Sequence, residues 1–261
     1  MTPPFSVSDL EGVAAAAARI AKSMATGPLE TAEKLDRSPV TAVDRAVDDF
    51  LAGALAALLP GSAWLSEESA DDGRRLTAPF VWIVDPIDGT QQLVRGIPEI
   101  AISIGLAHRG AVVAAAIVNP MTDESGAWVD GSAPVFRNLA RRPPPASCAS
   151  AEAIVSRSEF EDGALERFSG VALRLRPVGS VAYKLLRVAS GADAVTFSIR
   201  PKLEWDVCAG AGLLAAAGGA YLRLDGEDLV FNQADVRIPC GATAGPEPLA
   251  TELRGRVNAI L

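Results

Sequence analysis

The 261-residue sequence holds a single histidine, His108, two tyrosines and three cysteines. One histidine excludes a zinc site built from several, and a Ser-His-Asp triad could be assembled only through His108. That residue lies in His108-Arg109-Gly110 between two apolar runs, the setting of a surface hairpin turn. Cys148, Cys208 and Cys240 are odd in number, far apart and free of any C-x-x-C pattern. They read as free, mostly buried thiols. No apolar run approaches the roughly 20 residues of a membrane helix. Met1-Thr2-Pro3-Pro4-Phe5 lacks the basic start and leucine-rich core of a secretion signal. These absences predict a soluble, cytoplasmic protein with no membrane partner. Basic charge is also short: 24 Lys and Arg against 32 Asp and Glu leave a net charge of −8. That is the wrong sign for generic nucleic-acid binding. An anionic substrate stays open, because bound divalent cations reverse the field in an acidic pocket.

What is present is globular: 49% of residues are hydrophobic, many of them alanine. Ser8 and Glu11 suggest a capping box for a helix running to Met24 and stopping near Gly27-Pro28. Thr41 caps a second helix, with Val43, Val47, Phe50, Leu51, Ala54, Leu55 and Leu58 at helical spacing and Pro60-Gly61 ending it. Strands are predicted at 63–66, 80–84, 100–107, 111–118 and 127–129, largely antiparallel. Arg137 to Ser147, with three consecutive prolines, is the best boundary. It separates an α+β domain (1–140, two N-terminal helices and an antiparallel sheet) from an α/β domain (141–261). In the second, strands 153–155, 173–176, 194–197, 221–224 and 237–240 are interleaved with helices 160–168, 181–189, 205–217 and 248–257.

The segment richest in chemistry is Asp85-Pro86-Ile87-Asp88-Gly89-Thr90, directly after the apolar run Phe80–Val84. Two carboxylates three residues apart at a strand end suit hard cations such as Mg²⁺. Backbone N–H groups after a tight Gly turn can face a phosphoryl oxygen. Further acids stand at element ends: Asp44 in the first turn of the second helix, Glu67-Glu68 after a strand, and Asp206 opening an alanine-rich helix. Taken singly, Asp44 and Asp206 could merely complement helix dipoles, worth roughly 0.3–1 kcal/mol, and Glu67-Glu68 could be a solvated turn. Two cations about 3.5–4 Å apart can clamp the attacking and leaving oxygens of an in-line displacement. A shared carboxylate is what brings like charges so close.

In order, the chain reads SPVTAVD, SEES, DPIDGT and EWDVCAG, then a helix ending in Gly218-Gly219. This resembles the inositol monophosphatase superfamily of metal-dependent, lithium-sensitive phosphatases, over most of the chain from Ser38 to Gly219. Ser66 stands where that pattern has glycine. The resemblance implies a layered αβαβα sandwich and two or three Mg²⁺ ions per site, with Mn²⁺ as a substitute and Li⁺ as an inhibitor. It implies Glu67, Asp85, Asp88, Asp206 and the Ile87 carbonyl as metal ligands, with Asp85 as the bridge. Thr90 and Asp44 become the pair that orients and deprotonates the attacking water. Asp88, Gly89, Thr90 and Asp206 face the substrate, a small phosphorylated metabolite. Dimerisation is common in the superfamily, so a homodimer is possible.

The substrate is less legible. Inositol enzymes carry an acid seven positions before the tryptophan-motif aspartate; here that position is Ile199. SPVTAVD, Ser156-Arg157-Ser158 and Glu204 are instead similar to CysQ-type 3′(2′),5′-bisphosphate nucleotidases. Their substrate is 3′-phosphoadenosine 5′-phosphate, whose second dianion needs cationic partners. Arg157, Arg200, Lys202 and Lys184 are candidates, and Ser180 could contact substrate or simply cap a helix. Gln91-Gln92-Leu93 departs from the nucleotidase pattern. Inositol 1-phosphate, another sugar or histidinol phosphate, and a catalytically silent binding protein are the alternatives.

Overall fold

The first helix, α1 (Val7–Met24), is capped one turn before Glu11: Asp9 N donates to Ser6 Oγ at 3.2 Å, and Ser6 N donates to Asp9 Oδ2 at 2.9 Å. Ser6 and Asp9 therefore replace Ser8 and Glu11 as the capping box, because Ser8 already lies inside the helix. The computed structural model describes residues 2–25, 31–33, 39–172 and 174–261. The expected helix stop at Gly27-Pro28, the first residue of SPVTAVD and the strand start at Leu173 lie outside these.

After α1 come a short antiparallel pair, β1 (Thr31–Glu33) and β2 (Pro39–Thr41), and then α2 (Ala42–Leu58), capped by Thr41 as its sequence suggests. A six-stranded sheet follows in sequential order: β3 (Ala63–Ser66), β4 (Phe80–Asp88), β5 (Ala101–His108), β6 (Ala111–Val118), β7 (Ser125–Val129) and β8 (Val135–Arg137). Only the β3–β4 pair in it is parallel. A short helix, α3 (Thr90–Val94), interrupts it between β4 and β5. The β5–β6 hairpin turns at Arg109 and Gly110, both at positive φ, as the His108-Arg109-Gly110 pattern predicts.

The second sheet has the order β10-β9-β11-β15-β13. Its strands are β9 (Glu152–Ser156), β10 (Arg174–Val178), β11 (Val195–Ser198), β13 (Gly219–Arg223) and β15 (Ala242–Pro246). β9 is flanked in parallel by β10 and β11, and β15 pairs antiparallel with β11 and β13. Between these strands run α4 (Arg157–Glu161), α5 (Val181–Ala189), α6 (Glu204–Ala216) and, last, α7 (Glu247–Asn258). β12 (Lys202–Leu203) pairs with β14 (Arg237–Ile238) outside the main sheet. Two expectations are corrected here, and one strand was not foreseen. The helix predicted over 160–168 is instead α4 plus a short 3₁₀ turn at Glu166–Phe168, broken by Gly163 at φ +78°. The strand predicted over 237–240 stops at Ile238. β15, an Ala-Thr-Ala-Gly-Pro segment with little β-propensity, takes the place in the sheet.

Alternation along single strands sorts the core into layers. Trp82 and Val84 of β4 pack with Leu10, Ala14, Val47 and Leu51 of α1 and α2. Val81 and Ile83, on the other face, pack with Leu186 of α5 and Cys208 and Leu213 of α6. Ile154 of the second sheet joins that same central cluster, while Ala153 and Val155 face outward onto Leu249, Leu253 and Val257 of α7. The architecture is the layered αβαβα sandwich. The six-stranded sheet lies wholly before residue 140 and the five-stranded sheet wholly after it, and α5 and α6 form the layer they share. α6 is apolar nearly all round, as a helix between two sheets must be. Among the described residues, no helix is long and apolar enough to cross a membrane.

Candidate active site

Strand geometry alone would send Asp85 and Asp88 to opposite faces, because side chains three residues apart alternate. The β4–β5 ladder prevents this. Asp85 pairs with Ser103 and Asp88 with Ala101, so three steps on β4 match two on β5. The extra residue is a β-bulge, and Pro86 within it has no N–H to lose from the ladder. Both carboxylates consequently line one cavity of about 280 Å³. Glu67, just after β3, and Asp206, in the first turn of α6, line it too. The same cavity is lined by Ser156, Arg157 and Ser158 at the start of α4, and by Ser180 and Lys184 of the α5 region, whose Ser180 adjoins Asp88.

Asp85, Asp88 and Asp206 each have an oxygen turned onto nearby chain. Asp85 Oδ1 accepts from Ile87 N at 3.0 Å. Asp88 Oδ2 accepts from Ser180 Oγ at 2.8 Å and Ala182 N at 2.6 Å. Asp206 Oδ2 accepts from Leu203 N at 2.9 Å. Among the described residues, no three acidic, histidine or cysteine side chains close into a cage for a single ion. An array of oxygen donors spread along one wall suits hard cations that keep part of their water shell and share ligands. The electrostatics point the same way. Burial first, then the charges of Glu67, Asp88, Asp206 and Asp44, hold the Asp85 carboxyl well above the usual carboxylate range. Burial and the Asp88 charge push Asp206 up to about 7. Asp88 is also raised by burial, against the opposing pull of Ala182 N and the Lys184 ammonium. Crowded carboxylates with this little positive charge among them fit divalent metal well.

Behind this wall Thr90 Oγ1 stands 2.8 Å from Asp44 Oδ1 and 3.0 Å from the Ile87 carbonyl. Asp44 is 1% exposed, so it reaches the cavity only through Thr90. Its other oxygen accepts from Thr41 N at 2.9 Å, which locks its rotamer. Gly89 adopts φ +99°, and a Cβ there would meet the Glu99 carbonyl at 3.0 Å. Only glycine makes this turn into α3 without strain. Ser180, at φ +53°, carries strain of about 1–3 kcal/mol. In return its hydroxyl both holds Asp88 and accepts from Tyr183 N at 2.9 Å.

The cationic candidates separate. Arg157 lines the cavity, but its Nε and Nη2 donate to Glu99 at 3.0 and 2.8 Å. Lys184 is buried, lines the cavity, and donates to the Ser180 carbonyl at 2.7 Å. Burial lowers it to about 8 despite the nearby Asp88. Lys202 is not among the cavity-lining residues: its ammonium lies 3.4 Å from Glu159 and 3.1 Å from the Arg200 carbonyl. Arg200 pairs with Asp162 on the surface. Glu204 sits away from the cavity and accepts from Asn232 N and Gln233 N at 2.6 and 2.7 Å.

Two residues of the site escaped the sequence reading. Asp48 takes the hydroxyls of both Ser66 and Ser69, pinning the loop that carries Glu67. Its signal was present, since it lies four residues after Asp44 on the same buried face of α2. Glu99 had none: it is a loop residue after Pro98, and only the fold carries it to Arg157 and to Gly179, whose N donates to Glu99 Oε2 at 2.7 Å.

Residues 6–256 match the Inositol monophosphatase family. This chain belongs to that family. Dependence on metal is general in it, and its members are phosphatases. Among relatives, the chain is 35% identical over 201 residues to the probable inositol 1-monophosphatase ImpA of Mycobacterium tuberculosis, covering 72% of each. It is 32% identical over 212 residues to a 3′-phosphoadenosine 5′-phosphate phosphatase of the same species, covering 78% of each. The fold is shared with the extragenic suppressor protein SuhB of Bartonella henselae at a TM-score of 0.81 and 23% identity, over 97% of this chain and 98% of that one. An inositol monophosphatase from Anabaena aligns at a TM-score of 0.79 and 22% identity, over 98% and 96%.

Proposed function

We propose that this family member is a Mg²⁺-dependent phosphomonoesterase that removes the 3′ phosphate of 3′-phosphoadenosine 5′-phosphate, giving AMP and phosphate in the cytoplasm. One observation carries the reading: a single cavity is lined by four carboxylates, Glu67, Asp85, Asp88 and Asp206, and by two cations, Arg157 and Lys184. A substrate with two phosphate groups answers to both sets of groups, one phosphate at the metal-holding acids and the other at the cations. Glu67, Asp85, Asp88, Asp206 and the Ile87 carbonyl would hold the metal. Bound Mg²⁺ supplies positive charge to the phosphoryl oxygens and makes water more acidic.

The chain's own groups do the rest. Asp44 Oδ1 accepts the Thr90 hydroxyl proton, which leaves Thr90 Oγ1 lone pairs free to take a proton from the attacking water. Thr90 N, at the first position of α3, has no intrahelical partner and can donate to a phosphoryl oxygen, with Gly89 N beside it. The N-termini of α5 and α6 also open near the cavity, adding positive potential where a dianion docks.

Inositol 1-phosphate is the second reading, supported by the ImpA likeness. Against it, the position expected to offer an acid to inositol hydroxyls is Ile199. The nearest acid in contact, Glu159, is 1% exposed and occupied by Ser198 Oγ, Ile199 N and Lys202. A kcat/KM comparison of 3′-phosphoadenosine 5′-phosphate, inositol 1-phosphate, fructose 1,6-bisphosphate and histidinol phosphate tests the choice. The nucleotide is expected to lead, and a preference for inositol 1-phosphate overturns the proposal.

Asp48→Asn gives a milder expectation. Asparagine cannot accept from both Ser66 and Ser69 with the same charge, so the Glu67 loop loosens. Mg²⁺ affinity, read by calorimetric titration, should fall roughly tenfold. Unchanged affinity would remove Asp48 from the site.

A further inference from the structure

Arg157, which lines the cavity, is paired with Glu99. Glu99 takes Arg157 Nε at 3.0 Å and Nη2 at 2.8 Å. The remaining nitrogen, Nη1, lies 3.6 Å from Glu161. Both members of the pair are about one-fifth exposed (19% and 20%), so substrate can reach them. As folded, the Nε–Nη2 edge of the guanidinium is occupied by Glu99, and Nη1 stands only within ion-pair range of Glu161. It is also anchored independently, because Nη2 donates to the Pro177 carbonyl at 3.2 Å. Glu99 is anchored independently too, through Gly179 N. The pair is thus an exchangeable contact between two fixed posts.

We propose that Glu99 is a specificity-determining positioning residue, an internal competitor that a substrate's second anionic group must displace from Arg157. This rests on the function proposed above and identifies which feature of the substrate the cavity measures. A phosphate dianion brings more charge and more acceptor oxygens to a guanidinium than a carboxylate does, so it can take the place of Glu99. A neutral polyol cannot. A nucleoside 3′,5′-bisphosphate therefore gains Arg157, whereas a monophosphate of similar shape finds it closed. Lys184, buried with its ammonium on the Val178 and Ser180 carbonyls, adds a fixed charge that does not discriminate in this way.

The test is Glu99→Gln. Glutamine keeps an oxygen to accept from Gly179 N but loses the charge that holds Arg157. The ratio of kcat/KM for a nucleoside 3′,5′-bisphosphate to that for the 3′-monophosphate should rise about fivefold, through KM rather than kcat. AMP, which retains the 5′ phosphate, should compete more strongly in the variant by a similar factor. Adding Arg157→Ala to Glu99→Gln should abolish both gains. If Glu99 only braces the loop, KM rises for both substrates alike and the ratio stays put, which overturns the inference while leaving the bisphosphatase function standing. A wild-type protein that turns over no nucleoside bisphosphate overturns the function and this inference together.

Discussion

Asp85→Asn is expected to lower phosphomonoester hydrolysis by on the order of a thousandfold or more while leaving the metal-free fold as stable as the parent, or more so. The activity loss follows from the proposed place of Asp85 at the centre of the carboxylate wall, where Asn has neither the charge nor the second anionic oxygen. The stability effect follows from its surroundings. Asp85 is 1% exposed, and its carboxyl is held well above the ordinary range by burial and by four neighbouring acids. Asp88 and Asp206 are shifted in the same direction, Asp206 to about 7.

A raised folded-state pKa means the folded protein binds more protons than the unfolded chain between the two values. The stability those groups contribute is present in full below their unfolded values, near about 3.9, and is lost as pH rises through the folded ones. The metal-free Tm should therefore fall from about pH 5 to about pH 8, and Asp85→Asn should flatten that slope. Acids with lowered pKa, such as Glu152 and Asp162, act below this window, and Lys184, at about 8, acts at its upper edge and beyond. Mg²⁺ should raise Tm more at pH 8 than at pH 5.5, because ligands must ionise to bind. A hundredfold excess over Kd stabilises by roughly 2.7 kcal/mol. Calorimetric melts with and without Mg²⁺ measure this. The assignment fails if Mg²⁺ stabilises Asp85→Asn as much as wild type, or if that variant keeps a tenth of the parental rate.

Thr90→Val should reduce kcat by roughly a hundredfold or more with Mg²⁺ affinity within about twofold of wild type. Valine keeps the branched shape but cannot relay a proton to Asp44. The relay depends on geometry already in place: Thr90 Oγ1 lies 2.8 Å from Asp44 Oδ1, whose carboxylate is fixed by Thr41 N. Thr90→Ser, which restores the hydroxyl, should recover most of the rate. Asp44→Asn is less clean, since Asp44 also caps α2 and its loss would cost stability as well. Rapid-quench turnover beside calorimetric metal titration separates the two effects. A Thr90→Val enzyme that turns over normally would leave Asp44 as a helix cap and nothing more.

The acidic wall was legible because it is written in local motifs. Asp85 and Asp88 lie in the last residues of β4, Glu67 follows β3 and Asp206 opens α6, positions where side chains are aimed by a few neighbouring residues. The outer helices and the β5–β6 hairpin were legible for the same reason, through hydrophobic period and turn residues. α3 has only five residues and no apolar period to announce it. β15 is small residues in a strand, held by β11 and β13 rather than by its own propensity. Lys202 looked equivalent to Arg157 in the sequence, each at an element end. The fold gives Lys202 to buried Glu159 and Arg157 to the cavity.

The order and identity of four short segments, by themselves, determined which carboxylates this chain brings to its cavity and to which family of folds it belongs. Tertiary structure decided the rest: that a one-residue bulge turns Asp85 and Asp88 to the same side, that Asp48 grips the Glu67 loop, and that Glu99 stands against Arg157. The reason is range. A carboxylate's chemical type is carried by its own residue, but its partner lies 58 positions away in the Arg157–Glu99 pair, and only the packing of two sheets around a shared helical layer brings such residues to one wall.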